Sequence, residues 1–561
     1  MDQHEVDVLV VGGGPVGLST AVELSRHGIS TLLVEKHAGT AIFPKARLIT
    51  TRTMEIFRSW GIQDEVESAG MPREEFLAVG VGSCLTADDF VRSAAALQRD
   101  APHSPTYTFL CSQDLLEVIL RRRAEKGPAA DVRFGAAMTS MREVAGGVEA
   151  VVSAEGREIL VRCRYLVAAD GSRSGVRDRL GIKAEGPPVL GHMISIMFEA
   201  DLGFLPPERR AALSFLRDPP CAVEAVDHGR RWMVQTGYEP EEGGSPADFT
   251  EEACLAAVRA AVGVPDLPVE ILGVLPWLQQ AKVADGFQSG RVFLAGDAAH
   301  VATPQGGFGM NCGIQDAHNL AWKLAAVLHG AAGPALLDTY TAERRPIAAR
   351  TVDESLTNAL ITFQMMEGRL SMREAVDQQA GRRSCEGLVL GFGYDSAAVI
   401  PDGTPAPAPG DPYRVYVPSA RPGHRAPHVW LTGPDGPVST LDLLGPCFTL
   451  LTANPSWSSA AHATTRRTGC ALTPIEILPD GGAPAATSRA TQEDGAHAAT
   501  SRATEYGGPY ASATWATEYG AGAAGAVLVR PDGHVAWRTA TASDDPERTL
   551  TTALTTILAK P

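Results

Sequence analysis

The sequence contains no Cys-x-x-Cys pair and no grouping of His and Cys at metal-ligand spacing. Its nine cysteines, Cys84, Cys111, Cys163, Cys221, Cys254, Cys312, Cys385, Cys447 and Cys470, are scattered, so reduced thiols and no structural zinc are expected. Long apolar runs are missing too. No stretch approaches the ~18 uninterrupted apolar residues needed to cross a bilayer, and the start, Met1-Asp2-Gln3-His4-Glu5, carries no basic, cleavable leader. A cytoplasmic protein without membrane attachment is expected. No large cluster of Lys and Arg stands out either, and the net charge of −16 disfavours nucleic acid as a partner, because phosphate neutralisation needs grouped cations. Small-molecule chemistry is the class that remains.

The 561 residues are too many for one core and point to about three domains. A hydrophobic share of 44% with 20% charged residues lets most of the chain bury enough apolar surface to offset its ordering entropy. The first strong local signal is a valine-rich run, Val6 to Val11, followed at once by Gly12-Gly13-Gly14-Pro15-Val16-Gly17 and a helical pattern through Leu18, Ala21, Val22 and Leu24. Strand, glycine turn and helix in that order make a dinucleotide fingerprint. Gly12 permits the tight turn, Gly14 lets backbone approach a pyrophosphate, and Gly17 lets helix and strand pack closely. The helix start offers unpaired N–H groups and a positive dipole end to phosphates. A second apolar run, Thr31 to Val34, ends at Glu35, where a carboxylate can accept from a ribose 2′-hydroxyl and favours an adenosine without a 2′-phosphate.

Two further turns repeat this grammar. Leu166 to Ala169 leads into Asp170-Gly171-Ser172-Arg173-Ser174-Gly175, and Val292 to Ala295 leads into Gly296-Asp297. An Asp at a strand's carboxyl end beside a nucleotide cleft is placed to hold a ribose or ribityl hydroxyl. Pro304, Gly306, Gly307, Gly309, Met310 and Asn311 follow, then an amphipathic helix from about Gly313 to Leu328, another helix start that could stabilise negative charge on a ligand.

On these residues the chain resembles the class A flavoprotein monooxygenases, the para-hydroxybenzoate hydroxylase family. Its three fingerprints match in order: Gly12 to Gly17, Asp170-Gly171 and Gly296-Asp297. The resemblance implies a cofactor, FAD, held by Gly12, Gly14, Pro15, Val16 and Gly17 and by Glu35 and Lys36 at the ribose. It further implies contacts from Arg47, Gln113, Asp170 and Gly171, with Gly296 and Asp297 at the ribityl chain. Pro304, Gly309, Met310 and Asn311 would lie against the isoalloxazine. It also implies NADPH or NADH as reductant, O2 as co-substrate and no separate nucleotide domain for the reductant. Read on their own, Arg47 is a surface cation or a cofactor contact, and Gln113 a helix-start residue or a cofactor contact. His300 reads as a packed, hydrogen-bonded structural histidine, and Cys312 as a small packing residue.

The same resemblance orders the rest into an α/β architecture. A discontinuous Rossmann-type FAD-binding domain is expected over residues 1–75, 104–180 and 283–390. An inserted antiparallel-sheet substrate domain, with one wet and one covered face, is expected over 76–103 and 181–282, from alternations such as Met193 to Ala200 and Arg231 to Gln235. Prolines from Pro401 to Pro412 mark 391–412 as a linker. Residues 413–561 resemble the C-terminal thioredoxin-like domain of polyketide and phenol hydroxylases. Ala526 to Arg538 read as a hairpin turning at Asp532-Gly533, and the lack of a Cys-x-x-Cys pair points to packing or dimerisation, as in a homodimer, rather than thiol exchange. A tandem repeat, Ala485 to Thr491 recurring at Ala498 to Thr504 and Ala503 to Gly507 recurring at Ala516 to Gly520, makes a mobile insertion expected over about 483–524.

The function implied is hydroxylation of a phenolic, polycyclic aromatic polyketide through a flavin C4a-hydroperoxide, with a small aromatic phenol as partner. A Baeyer–Villiger or ring-rearranging oxygenase on the same scaffold is the alternative. The Trp-x-Trp-x-Ile-Pro signature of flavin halogenases is absent, Trp277 and Trp322 standing alone. Arg52 is the catalytic candidate, a cation able to stabilise a phenolate or peroxide anion, with structural pairing to Glu55 as the other reading.

Overall fold

The valine-rich runs form a parallel sheet in the computed structural model, which describes residues 2–72, 78–93, 102–227, 229–370, 374, 378, 385–478, 510–512 and 514–560. Its strands lie in the order Gln288–Ser289, Val292–Leu294, Arg157–Ala168, Asp2–Val11, Thr31–Glu35 and Ala130–Phe134, and all neighbours from Val292–Leu294 onward are parallel. The hairpin Ala136–Val144 and Gly147–Ala154 extends the outer part of Arg157–Ala168. Val8 to Val11, Leu32 to Val34 and Leu166 to Ala168 are buried, as strands covered on both faces must be. Helix Pro15–Arg26 packs between Phe308–Leu328 and Gln113–Glu125 on this sheet. The strand order reverses beside Asp2–Val11, the switch point where doubly wound sheets bind nucleotides.

A second sheet of seven strands, in the order Glu270–Gln279, Gly191–Glu199, Arg231–Tyr238, Pro220–Ala225, Leu213–Arg217, Val79–Gly82 and Val91–Ser93, is built from the alternating segments. It is antiparallel except where Val79–Gly82 runs parallel to Leu213–Arg217. One face, carrying Ile194, Ile196, Phe198, Val223 and Val234, packs on Val258, Ala261 and Val262 of helix Glu251–Val262. The opposite face looks toward the parallel sheet's domain: Arg231 pairs with Asp114, Arg47 with Glu224, and the Gln279 amide donates to Gln305.

The C-terminal sheet has the thioredoxin-like core order Leu472–Leu478, Phe448–Thr452, Ala526–Val529 and Val535–Thr539, parallel for the first pair and antiparallel thereafter. Helices Pro455–Thr468 and Pro546–Ile557 pack together on it. Gly533, at φ +76°, closes the hairpin at Asp532-Gly533.

Three expectations need correction. The expected linker begins later than residue 391: Phe392, Tyr394, Ala398 and Val399 are buried and the Ile400 N–H donates to Ala536 O, whereas residues 401–410 are largely exposed and form no helix or strand. Those buried apolar side chains all precede the prolines of the stretch, which begin at Pro401. The end of the expected mobile insertion is built into the fold, with Tyr510–Ala511 joining the sheet and Trp515–Tyr519 a helix whose Trp515 and Tyr519 are buried. Residues 483–509 and 513 of the insertion lie outside the described residues. The helix expected from Gly313 begins at Phe308, because Gly306 and Gly307, at φ +107° and +65°, make the turn by themselves.

Candidate functional site

Parallel pairing brings the three glycine–aspartate turns together. Val11 is level with Val34 and Ala168, and Ala168 with Leu294, so the carboxyl ends of four strands release their chains side by side. The turns then touch. The Ala169 N–H donates to Val11 O, Gly12 N–H to Val34 O and Ala295 N–H to Ala168 O. A Cβ on Gly12 would lie 2.2 Å from Ala169 O, one on Gly17 1.9 Å from Gly12 O, and one on Gly296 2.7 Å from the Val16 side chain. Backbone needs those three glycines. Gly14 differs: it has ordinary extended dihedrals, and a Cβ there would meet nothing within 4 Å. Its space is open at the start of helix Pro15–Arg26, where uncapped N–H groups point outward.

Acidic side chains surround that opening. Glu35 accepts from the Gly13 N–H at 2.7 Å through one oxygen and from His37 N–H through the other; Lys36 beside it is exposed. Asp170 accepts from Ser174 Oγ and Val176 N–H, so its carboxylate holds its own turn, with Gly171 at φ +84°. Asp297 has no hydrogen-bond partner among the described residues and faces a cleft of about 570 Å³ that Ser172, Arg177, Lys282 and His300 also line. Its carboxylate is exposed to that interior space yet ringed by protein, and burial raises its pKa against the opposing pull of His300 and Lys45. Lys45, which no motif singled out, also acts on buried Glu117. Glu117 accepts from the Gln113 side chain at 2.7 Å and from the Ala41 N–H, so Gln113 is held at the helix start of Gln113–Glu125.

Beneath the Gly296 turn lies a buried ionic network. Asp316 accepts from Gly296 N–H, His300 Nε2 at 2.6 Å and Arg344 Nε at 2.8 Å, while Arg344 also donates to Cys312 O and Tyr394 OH. Burial opposes the His300 cation, but the Cys312 sulfur and Asp316 outweigh it and raise its pKa well above the ordinary value. His300 is thus a structural histidine. Donor atoms of His300, Cys312 and Asp316 lie within 4.8 Å of one another, but the Arg344 guanidinium already provides the neighbouring positive charge.

The turn Pro304 to Gly307 sits against the second sheet through Gln305. Asn311 donates to Leu48 O and Gly307 O and accepts from Thr50 N–H, tying segment 48–50 to the turn. Gly309 and Met310 fall in the helix's first turn rather than in a loop. Arg47 is engaged with Glu224 and Ala225 O. Arg52 takes the structural side of its two readings: it is buried, donating to Glu55 at 2.9 Å and to Asp532 O of the C-terminal domain at 2.6 Å. Glu55 also accepts from Arg425 of that domain.

A doubly wound fold whose three turns converge at the carboxyl end of one parallel sheet defines an FAD-binding protein. The fit rests on the open space at Gly14, the unpartnered Asp297 and two glycine-led helix starts, and the comparisons agree. Residues 5–355 match the family "FAD binding domain", and 419–561 match "Aromatic-ring hydroxylase, C-terminal". The tetracenomycin A2 monooxygenase-dioxygenase of Streptomyces glaucescens is 37% identical over 100% of this chain and 98% of its own. The aklavinone 12-hydroxylase of Streptomyces purpurascens is 37% identical over 100% of both. Among solved structures, the flavin-dependent monooxygenase PieE with FAD and substrate superposes with a TM-score of 0.86 at 31% identity, covering 100% of both chains. Aklavinone-11 hydroxylase with FAD and aklavinone gives 0.82 at 35% identity, again covering 100% of both. The chain belongs to the FAD-dependent aromatic-ring hydroxylases. It is a flavoprotein monooxygenase, consuming O2 and a reductant of its flavin.

Proposed function

We propose that this enzyme hydroxylates a phenolic, polycyclic aromatic polyketide, with NADPH or NADH reducing its FAD. The observation that carries the reading is the composition of the sheet face turned toward the cofactor cleft. Cross-strand register puts Met193, Met197, Met233, Leu275, Trp277 and Phe215 on that face, anchored beside the Pro304–Gly307 turn by the Gln279–Gln305 hydrogen bond. A broad wall of thioether, indole and aliphatic groups suits a flat, apolar multi-ring ligand. Relatives named for tetracenomycin and aklavinone chemistry support the same class.

When bound, the flavin supplies the activation of O2 and delivery of one oxygen atom to the ring. The chain's own residues bind, orient and shield. Open amides at the starts of Pro15–Arg26 and Phe308–Leu328 meet negative charge on the cofactor, and Asp297 offers its carboxylate to a ribityl hydroxyl. The His300–Asp316–Arg344 network holds the Gly296 turn that aims Asp297. Arg47–Glu224 and Arg231–Asp114 clamp the sheet over the cleft and keep water out.

Anaerobic reduction of the yellow enzyme by NADPH, followed by its bleaching across a panel of polycyclic phenols, tests the reading. At least one phenol is expected to speed reduction, and on admission of air its product gains one oxygen atom with every ring intact. Reduction indifferent to all phenols, with only hydrogen peroxide formed, would overturn it. A ring-expanded product would instead assign the Baeyer–Villiger course.

A further inference from the structure

We propose that Gln235, seconded by Ser195, selects substrates bearing a carbonyl next to a phenolic hydroxyl on one ring edge, a role that rests on the reading above. On the cleft-facing side of the second sheet, nearly every polar side chain is already committed. Glu224 pairs with Arg47, Gln279 with Gln305, Arg231 with Asp227 and Asp114, and Arg217 with Asp89. Gln235 alone among them is half-buried with no partner for its amide among the described residues.

Its neighbours by register are Ser195 on one side and Ala222 on the other. The Trp277 indole N–H donates to Ser195 Oγ at 2.9 Å, which occupies that oxygen as an acceptor and leaves its own proton to donate. Directly paired residues on one sheet face have Cβ atoms about 4.5–5.5 Å apart. Ser195 O–H and Gln235 NH2 therefore form a pair of adjacent donors inside the Met193, Met197, Met233 and Leu275 wall. Two neighbouring ligand oxygens, one carbonyl and one phenolic, satisfy both donors. A ring lacking the carbonyl buries the Gln235 amide without a partner, which costs affinity.

Calorimetric titration of the FAD-loaded enzyme with 1-hydroxyanthraquinone and with 1-hydroxyanthracene tests the assignment without relying on turnover. The wild type is expected to prefer the anthraquinone by about tenfold, the worth of one to two hydrogen bonds. In Gln235→Leu and in Gln235→Met, two apolar replacements of similar length, the preference is expected to fall to within about twofold. A variant that folds, stays yellow and keeps the full preference would overturn the role of Gln235 while leaving the hydroxylase reading intact. A wild type that binds neither ring would remove the polycyclic-phenol reading and this assignment with it.

Discussion

Glycines that look alike in the fingerprint do different physical work. Gly14→Ala places a methyl in open space at a position with no backbone strain, so apo stability is expected to hold while FAD affinity falls steeply. Gly17→Ala drives a Cβ to 1.9 Å from the Gly12 carbonyl, and destabilisation of about 1–3 kcal/mol is expected whether or not FAD is present. Denaturant melts of both variants, with and without added FAD, separate the two effects. Arg52 poses a similar choice. Its bonds to Glu55 and to the Asp532 carbonyl imply that Arg52→Ala unpairs a buried acceptor and lowers stability by about 1–3 kcal/mol, with coupling of reductant consumption to product preserved below the melting range. Unchanged stability together with uncoupled peroxide release would return Arg52 to the chemistry.

At the scale of single elements, the short helix Trp515–Tyr519 shows how context overrides composition. Its Ala516 to Gly520 is one copy of a repeat poor in large aliphatic residues, yet Trp515 and Tyr519 are buried and the Tyr519 hydroxyl donates to Pro427 O at 2.6 Å. Two aromatic side chains carry enough apolar area to pin one turn of helix onto a sheet. Trp515→Ala is expected to cost about 3–5 kcal/mol, read as a lower melting midpoint and earlier proteolysis of the C-terminal domain. The helix Phe308–Leu328 teaches the converse: Gly306 and Gly307 complete the turn early, so residues that read as loop become the first turn of a helix.

Across the whole molecule, the C-terminal domain is fastened by buried charge. Glu343 accepts from Lys323 at 2.7 Å and from both Arg530 terminal nitrogens at 2.6 and 2.8 Å, Asp532 bonds Arg530 and Asn319, and Arg58 pairs with Asp442. Burial alone would raise the Glu343 and Asp532 carboxyls, but Arg530 outweighs it and holds both well below their ordinary values of 4.5 and 3.8. The unfolded chain then binds protons in acid that the folded chain refuses. This stabilisation is complete above the ordinary carboxylate range and is lost as pH falls through it toward the depressed values. Acid titration of the melting midpoint is expected to drop steeply below about pH 5. Glu343→Gln should flatten that drop while lowering neutral-pH stability by about 3–5 kcal/mol, because Arg530 and Lys323 lose their counter-ion.

Local sequence determined the strand–glycine–helix turns and the acidic residues that end their strands, because those rest on backbone sterics and hydrogen bonding over a few residues. It also made the alternating second sheet and the closing Asp532-Gly533 hairpin legible. Only the tertiary structure decided where long side chains go: Arg52 toward Asp532, Arg47 toward Glu224, and Gln235 beside Ser195 with no amide partner among the described residues. Partners separated by up to several hundred residues leave no periodicity to read. For a buried charge, the cost of desolvation makes the partner, rather than the residue type, decide its role.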